Sequence, residues 1–233
     1  MKIDDICAIV LKYEEPGWTV QTLECCKAAG ITKIVIADRD GVGNMSKAFN
    51  ACAFRVLEQY YPGPSKRFYF VKHAYDVEPG ERPFIWFLTN VTFTPDVPLA
   101  LMAAFDDKTA AVHPCHDSDH AHLKTCGHTP QEVPFIEFTA PMFRTEALEK
   151  IGGADEHMPY WGMDLDWSYR AKQAGYNLKV SLARVQHVYL RHQKAKHPIS
   201  TFREQLRAYH HSHTEAALVQ KYGPKWEQIL WPR

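Results

Sequence analysis

Ile6-Cys7-Ala8-Ile9-Val10-Leu11 is an unbroken apolar run. A run of that length reads as a strand buried on both faces. Pro16 then stands where a first helical turn begins. The segment through Lys27-Ala28-Ala29 keeps apolar positions at helical spacing until Gly30 supplies a C-terminal stop. Ile34–Ala37 repeats the buried-strand pattern and ends on Asp38. A loop, Arg39–Gly43, leads into a helical stretch, Ser46–Gln59, broken by Pro62-Gly63-Pro64. Phe68–Val71 and Phe84–Leu88 read as two more strands, Pro95–Phe105 as a helix and Ala110–His113 as a short strand. Alternation of strand and helix predicts an α/β domain built on a mixed, mostly parallel sheet flanked by helices. Open sheets of this kind bind ligands beyond the carboxyl ends of their strands.

The second half changes character. Pro114–Pro134 is a polar, His-rich loop and Phe135–Phe138 a strand-like run. Thr145–Ile151 is a short helix closing at Gly152-Gly153, and Leu165–Ala174 is another, closing at Gly175. Leu178–Val180 and Val185–Val188 read as short strands. Thr201-Phe202-Arg203-Glu204 has the pattern of a capping box. The helix it opens carries apolar positions at Phe202, Leu206, Tyr209, Ala216 and Leu218, and Gly223-Pro224 stops it. The expected organisation is one main domain, 1–197, with a helical extension, 198–233, packed on it.

Composition bounds the function. The chain has 233 residues, 27 Lys+Arg against 27 Asp+Glu, and 45% hydrophobic residues, which excludes disordered, collagen-like and low-complexity classes. Zero net charge argues against a non-specific polyanion binder. The balance is uneven, however. Residues 179–213 hold seven Lys/Arg against one acid, Glu204, and six His, a distribution that fits a localised anion site. The six Cys form no disulfide framework and no CxxC, and Cys7, Cys25, Cys26 and Cys52 lie in apolar stretches as small buried hydrophobes. Met1-Lys2-Ile3-Asp4-Asp5 lacks the pattern of a signal peptide. Apolar runs such as Phe84–Leu88 fall far short of the roughly 20 residues of a membrane span. A soluble, cytoplasmic protein is therefore expected.

Phe143–His187 is where chemistry concentrates. It holds Arg144, then Ile151-Gly152-Gly153-Ala154-Asp155-Glu156, then Tyr160-Trp161-Gly162-Met163-Asp164-Leu165-Asp166-Trp167-Ser168-Tyr169-Arg170. Ala174-Gly175-Tyr176 and Val185-Gln186-His187 complete it. Asp164 and Asp166 open a helix, where the dipole and free N–H groups favour carboxylates. Taken alone they are two acids capping a helix, with Arg170 pairing on its surface.

The whole string is more specific than its parts. It resembles the acceptor half of inverting, family-2-like glycosyltransferases of the GT-A fold. That family reads Arg, Gly-Gly-Phe-Asp-Glu, Glu-Asp-x-Asp-Leu-x-x-Arg, Gly-Tyr and a His after a short strand. Ala154 replaces its Phe and Met163 its Glu. Ile9–Pro16 is similar to the family's first strand exit, Asp38 to the acid that reads the nucleotide base, and Asn44–Asn50 to the helix start near the donor. Lys221-Tyr222-Gly223 is similar to its closing Lys-Trp-Gly. The resemblance implies a Rossmann-like sheet whose first half, 1–112, binds a nucleotide sugar, with 135–197 as the acceptor half.

The mechanism it implies is displacement at the anomeric carbon of a nucleotide-diphosphate sugar, UDP-sugar first, by an acceptor hydroxyl. Asp164 is the expected general base. Asp166 is expected to orient the loop and, with Trp161 and Gly162, to meet the acceptor. Val10, Lys12, Tyr13, Asp38, Asn44, Lys47, Asn90 and Arg191 are expected at the donor, and His192, Lys194 and Lys196 follow as further cations. The family's metal-binding DxD falls on Thr89, Asn90 and Val91, after the strand Phe84–Leu88. Thr and Asn offer neutral oxygens, but Val cannot ligate Mn²⁺ or Mg²⁺. Either His187, Asn90 and the diphosphate hold the ion, or none is bound, or the register is one or two residues off.

His113–His128 packs five His, two Cys and two Asp into sixteen positions, all competent Zn²⁺ ligands. No pair has a standard finger spacing, so the alternative is a polar loop over the acceptor cleft. The acceptor class stays open between a glycan and, from the basic tail, a nucleic acid such as a modified base. A non-catalytic sugar- or nucleotide-binding protein on a degenerate scaffold is the competing class.

Overall fold

The computed structural model describes residues 2–12, 16–38, 44–60, 84–117, 120–124, 128–159, 161–188 and 201–231, and no side chains at 16, 38, 58–60 and 201–208. Seven strands form the main sheet: β1 (Ile6–Lys12), β2 (Lys33–Asp38), β3 (Phe84–Leu88), β5 (Thr109–Cys115), β6 (Gln131–Glu132), β7 (Met142–Arg144) and β8 (Asn177–Arg184). Their order is β2-β1-β3-β7-β5-β8-β6. β2, β1, β3, β5 and β8 run one way, while β7 and β6 run against their neighbours. This is the mixed, mostly parallel, Rossmann-like sheet that the sequence implies. A small ribbon pairs β4 (Val91–Thr92) with β9 (Gln186–His187) in antiparallel register.

Helices cover both faces, which explains the unbroken apolar run of β1. Cys7, Ile9 and Leu11 enter one core, with Phe49, Phe87, Phe143 and Trp167. Ile6, Ala8 and Val10 alternate into the other, with Trp86, Leu101 and Met102. The helices are α1 (Pro16–Ala28), α2 (Met45–Tyr60), α3 (Val97–Ala103), α4 (Ala121–Lys124), α5 (Thr145–Ile151), α6 (Met163–Gln173), α7 (Thr201–Tyr222) and α8 (Trp226–Leu230). Phe49 of α2 is the hub of the first core. Its ring lies 5.1 Å from Phe87, 5.3 Å from Phe138 and 5.4 Å from Phe143.

Four readings of local structure change. β2 is an edge strand rather than a doubly buried one, and Ile36 is 51% exposed. Phe135–Phe138 forms no strand; its apolar side chains are buried from a loop whose Ile136 N–H donates to Ser168 Oγ of α6. β8 runs eight residues because its burial alternates, with Lys179, Leu182 and Arg184 turned outward, a pattern the short apolar pieces hid. β5 continues through Pro114, tolerated because the register shifts between His113 and Cys115. The expected strand Phe68–Val71 lies outside the described residues.

Asn50 ties α2 to the loop after α5. It donates to the Ala154 carbonyl and accepts from the Ala154 N–H, both at 2.8 Å. A Cβ at Gly153 would fall 2.2 Å from Asn50 Oδ1. Gly153→Ala must therefore displace that clamp, at a cost of about 1–3 kcal/mol. The expected result is a melting temperature lower by roughly 2–10 °C; an unchanged melting curve contradicts it.

Candidate active site

β1, β2, β3 and β5 run one way, so their carboxyl ends share one edge of the sheet. Lys12 and Asp38, paired in register, end β1 and β2, and Lys12 is exposed there. α2 begins just beyond β2 and is bolted to the start of α6. Met45 N–H donates to the Pro159 carbonyl at 2.8 Å, and Ser46 Oγ donates to the Met158 carbonyl and Met163 Sδ at 2.6 and 2.8 Å. Gly162 precedes α6 with φ +78, a left-handed conformation that favours glycine. A Cβ there would also meet Thr214 of α7 at 2.8 Å.

This turn opens α6 and places Asp164, half-buried, in its first turn. Burial first, and the charge of Glu137 second, push its carboxyl up to about 7 from an ordinary 3.8. Leu165 N–H donates to Asp164 Oδ1 at 2.9 Å and opposes the rise.

Asp166, two residues on, has a different environment. It is 0% exposed and accepts from Arg170 Nε at 2.8 Å, Lys221 Nζ at 2.6 Å and the Tyr222 hydroxyl. Arg170 also donates to the Ile151 and Gly153 carbonyls at 2.7 Å each. The Arg170 pairing expected at the surface is thus a buried network that anchors α7.

The metal candidates belong to one small ribbon. Val91 pairs with His187 across the ribbon, and Val188 N–H donates to the Asn90 carbonyl at 2.8 Å. Asn90 is 1% exposed, and its side-chain oxygen and nitrogen have no hydrogen-bond partner. Burial, then His116, push the His187 imidazole down to about 4, which keeps it neutral and competent to ligate. Thr89 Oγ1 is committed to the Thr139 carbonyl at 2.9 Å, and Val91 is fully buried. The donors this ribbon could offer a divalent ion are the Asn90 side-chain oxygen and a His187 ring nitrogen, and most coordination would fall to a ligand. Among the described residues no group of three His, Cys, Asp or Glu forms a metal cage.

The His-rich loop divides. His113 is fully buried, and burial pushes it down to about 3. His122 Nε2 lies 3.2 Å from the Phe135 carbonyl. His116 and His120 reach Glu137 instead, at 3.1 and 3.7 Å. Cys115 is disulfide-bonded, which takes it out of any zinc set. Disulfides persist in oxidising surroundings, so the cysteine pattern does not support the expected cytoplasmic location. Cys7, Cys25, Cys26 and Cys52 are free.

Other expected site residues are placed as follows. Val10 is a core residue, fully buried between β2 and β3, so its side chain faces packing and not a ligand. Asn44 caps α2 through Lys47 N–H at 3.0 Å and donates to the Glu156 carbonyl at 2.9 Å; Lys47 is exposed. Trp161 is half-buried against His211 at 4.8 Å, under α7, and its indole nitrogen has no partner. Tyr13, Arg191, His192, Lys194 and Lys196 lie outside the described residues. Of the basic tail, Lys179 pairs with Asp106 at 2.6 Å, and Arg184 donates to the Lys124 carbonyl at 3.0 Å, so both are spent within the fold. Among the described residues no helix is long and apolar enough to cross a membrane.

Sequence reasoning missed Glu137. Its signal was a lone charge inside Phe135-Ile136-Glu137-Phe138, an otherwise apolar run.

A Rossmann-like α/β domain with Asp164 at the carboxyl edge of its sheet is what fold and site define together. No family model matches the chain, and no curated protein matches it. Among solved structures it is similar to the mannosyltransferase PcManGT from Pyrobaculum calidifontis in complex with GDP-Man and Mn²⁺, at 17% identity and TM-score 0.49, over 97% of this chain and 68% of that one. It is similar to GalNAc-T7 with UDP, GalNAc and Mn²⁺, at 12% identity and TM-score 0.49, over 94% of this chain and 58% of that one. It is also similar to the catalytic domain of Drosophila β1,4-galactosyltransferase 7 in complex with xylobiose, at 12% identity and TM-score 0.46, over 87% and 79%. At such identities and TM-scores these likenesses decide neither donor nor chemistry, which rest on the residues above.

Proposed function

We propose that this chain is a GT-A glycosyltransferase that moves a sugar from a nucleotide-diphosphate sugar, UDP-sugar first, to a glycan hydroxyl by inverting displacement. The observation that carries the reading is Asp164. It opens α6 where Ser46 of α2 meets Met163, at the carboxyl edge of the sheet, and its carboxyl is pushed up to about 7. A base works best with its pKa near the working pH. Asp164 takes the proton of the acceptor hydroxyl as that oxygen attacks the anomeric carbon. The bond to the diphosphate breaks on the opposite side, and the leaving oxygens gain charge. Asn90 and His187 would hold a divalent ion, Mn²⁺ or Mg²⁺, which neutralises that charge when bound. Lys12 and Asp38 contact the donor at the ends of β1 and β2. Trp161 lines the acceptor side beneath α7, and the segment 198–233 acts as an extension braced on a catalytic domain, 1–197. Asp166 serves the fold rather than the reaction.

Donor binding is the direct test. A panel of UDP-, GDP- and dTDP-sugars, each with and without Mn²⁺, is scanned by thermal denaturation. At about 100 times Kd a donor adds about 2.7 kcal/mol, equivalent to several degrees for a chain of this size. At least one donor is expected to give that shift. No shift with any of them overturns the reading.

A further inference from the structure

We propose that the Trp161–Gly162 turn and the side of α7 that faces it form the acceptor-sugar subsite, shut in this structure by His211, which lies on the indole where a sugar ring would stack. This deepens the reading of Trp161 on the acceptor side and rests on it.

The ring contacts set the geometry. The Trp161 ring lies 4.8 Å from His211 at an interplanar angle of 32°, and 6.1 Å from Trp226 of α8. Trp226 is buried and His211 is exposed, so the outer neighbour of the indole is the histidine. An indole offers a large, rigid apolar face with a polar N–H at its edge. A sugar ring is matched to it, with C–H groups on its faces and hydroxyls around its rim. His211 holds the place of such a ring.

Two buried polar groups beside this contact lack partners. Trp161 Nε1 is shut from solvent and makes no hydrogen bond. Thr214 is 0% exposed, and its Oγ1 makes none either. Thr214 stands one helical turn after His211, on the same face of α7. A Cβ at Gly162 would fall 2.8 Å from Thr214 Cγ2, so the threonine faces the turn that Trp161 opens. Buried polar groups are nearly always paired, and an exception asks for its missing partner. The indole can only donate, while the threonine can donate or accept. A partner that serves both carries hydroxyl groups.

The helix is held so that this end can give. Toward the end of α7, Leu218 is 0% exposed, Lys221 reaches Asp166 at 2.6 Å and Asp155 at 2.7 Å, and the Tyr222 hydroxyl donates to Asp166. Ten residues earlier the helix faces water, with Tyr209 56% exposed and His211, Ser212 and His213 exposed. Swinging His211 outward, with the start of α7 following, uncovers the indole while the Asp166 anchor stays closed. Trp161 stands three residues before Asp164, so the subsite belongs to the same turn as the proposed base.

The experiment uses the full chain labelled with 5-fluorotryptophan and read by ¹⁹F NMR, with Trp161→Phe to assign one of the six indole signals. The probes are the methyl glycosides of glucose, galactose, mannose and N-acetylglucosamine, added alone and with UDP and Mn²⁺. At least one is expected to shift the Trp161 signal to saturation. His211→Ala removes the competing ring and should bind that probe at least about 3-fold more tightly, because less of the protein is shut. Thr214→Val keeps the shape without the hydroxyl and should bind it about 5- to 10-fold more weakly. Since that hydroxyl has no partner in the shut state, Thr214→Val should melt no lower than the native protein. A Trp161 signal unmoved by every probe, in the native protein and in His211→Ala, overturns the proposal and leaves bound water as the partner of the two groups. Equal affinity of the native protein and either variant overturns it too, as does a lower melting temperature for Thr214→Val. If Trp161→Phe does not fold, His211→Ala assigns the signal through the indole it touches. None of these readings needs turnover. A donor panel without a shift sinks the transferase reading and leaves sugar binding at Trp161 standing, whereas a donor shift with no movement at Trp161 sinks the subsite alone.

Discussion

Asp164→Asn is expected to lower turnover by at least about 10³-fold, the order of the contribution of a positioned general base. Asparagine keeps the shape and cannot take a proton, so donor-induced stabilisation should survive while transfer stops. That separation distinguishes a catalyst from a sugar- or nucleotide-binding protein on the same scaffold. A variant with full turnover removes Asp164 from the mechanism, and one that loses donor binding makes it a structural residue. The pH dependence follows from the same carboxyl. The base must be ionised, so activity should rise through about pH 7, where its carboxyl titrates. Stability moves the opposite way. The folded state keeps the proton up to about pH 7, whereas the unfolded chain releases it near 3.8. Stability is therefore lost as pH rises through that window. The loss, on the order of 1–2 kcal/mol for a half-buried group, should be absent from the pH profile of Asp164→Asn. Parallel profiles of the two proteins would contradict it.

Asp166→Ala is expected to be the most destabilising change at the site. Asp166 is fully buried and is the shared acceptor of Arg170, Lys221 and Tyr222. Removing it strips the shared acceptor from the partly exposed Arg170 and Lys221 and from Tyr222, at about 2–3 kcal/mol. Against a total stability of about 5–15 kcal/mol, the melting temperature should fall by roughly 4–12 °C. The loss should centre on α7, which Lys221 and Tyr222 anchor, and hydrogen exchange there should rise first. Lys221 also pairs with Asp155 at 2.7 Å, so the same lysine ties α7 to the loop after α5. A variant melting with the native protein would return Asp166 to the acceptor side.

Two acids spaced by one residue thus divide their labour, and the division marks how far reading along the chain can go. The apolar run of β1, the glycine stops and the proline starts are local signals. They placed the alternating elements and the mostly parallel sheet without reference to anything distant, because burial on two faces leaves a periodicity in the residues themselves. The string around Trp161–Arg170 was equally legible as a candidate site. Which acid turns inward was not, because both sit in the first turn of one helix. Arg170 meets Asp166 within the same helix, but only the packing of α7 brings Lys221 and Tyr222 to it.

The same holds for the loop histidines. Their composition suggested zinc, yet a histidine's role is set by what faces it. Contact with Glu137 depends on a loop more than a dozen residues away, and Cys115 is taken by a disulfide. The sequence by itself determined the mostly parallel sheet and marked the acidic motif. The tertiary structure alone decided which carboxylate is paired with cations, which is pushed up in proton affinity, and that a third, Glu137, meets His116 and His120. Proton affinity and ion pairing depend on distance through space, and the order of residues does not carry that distance.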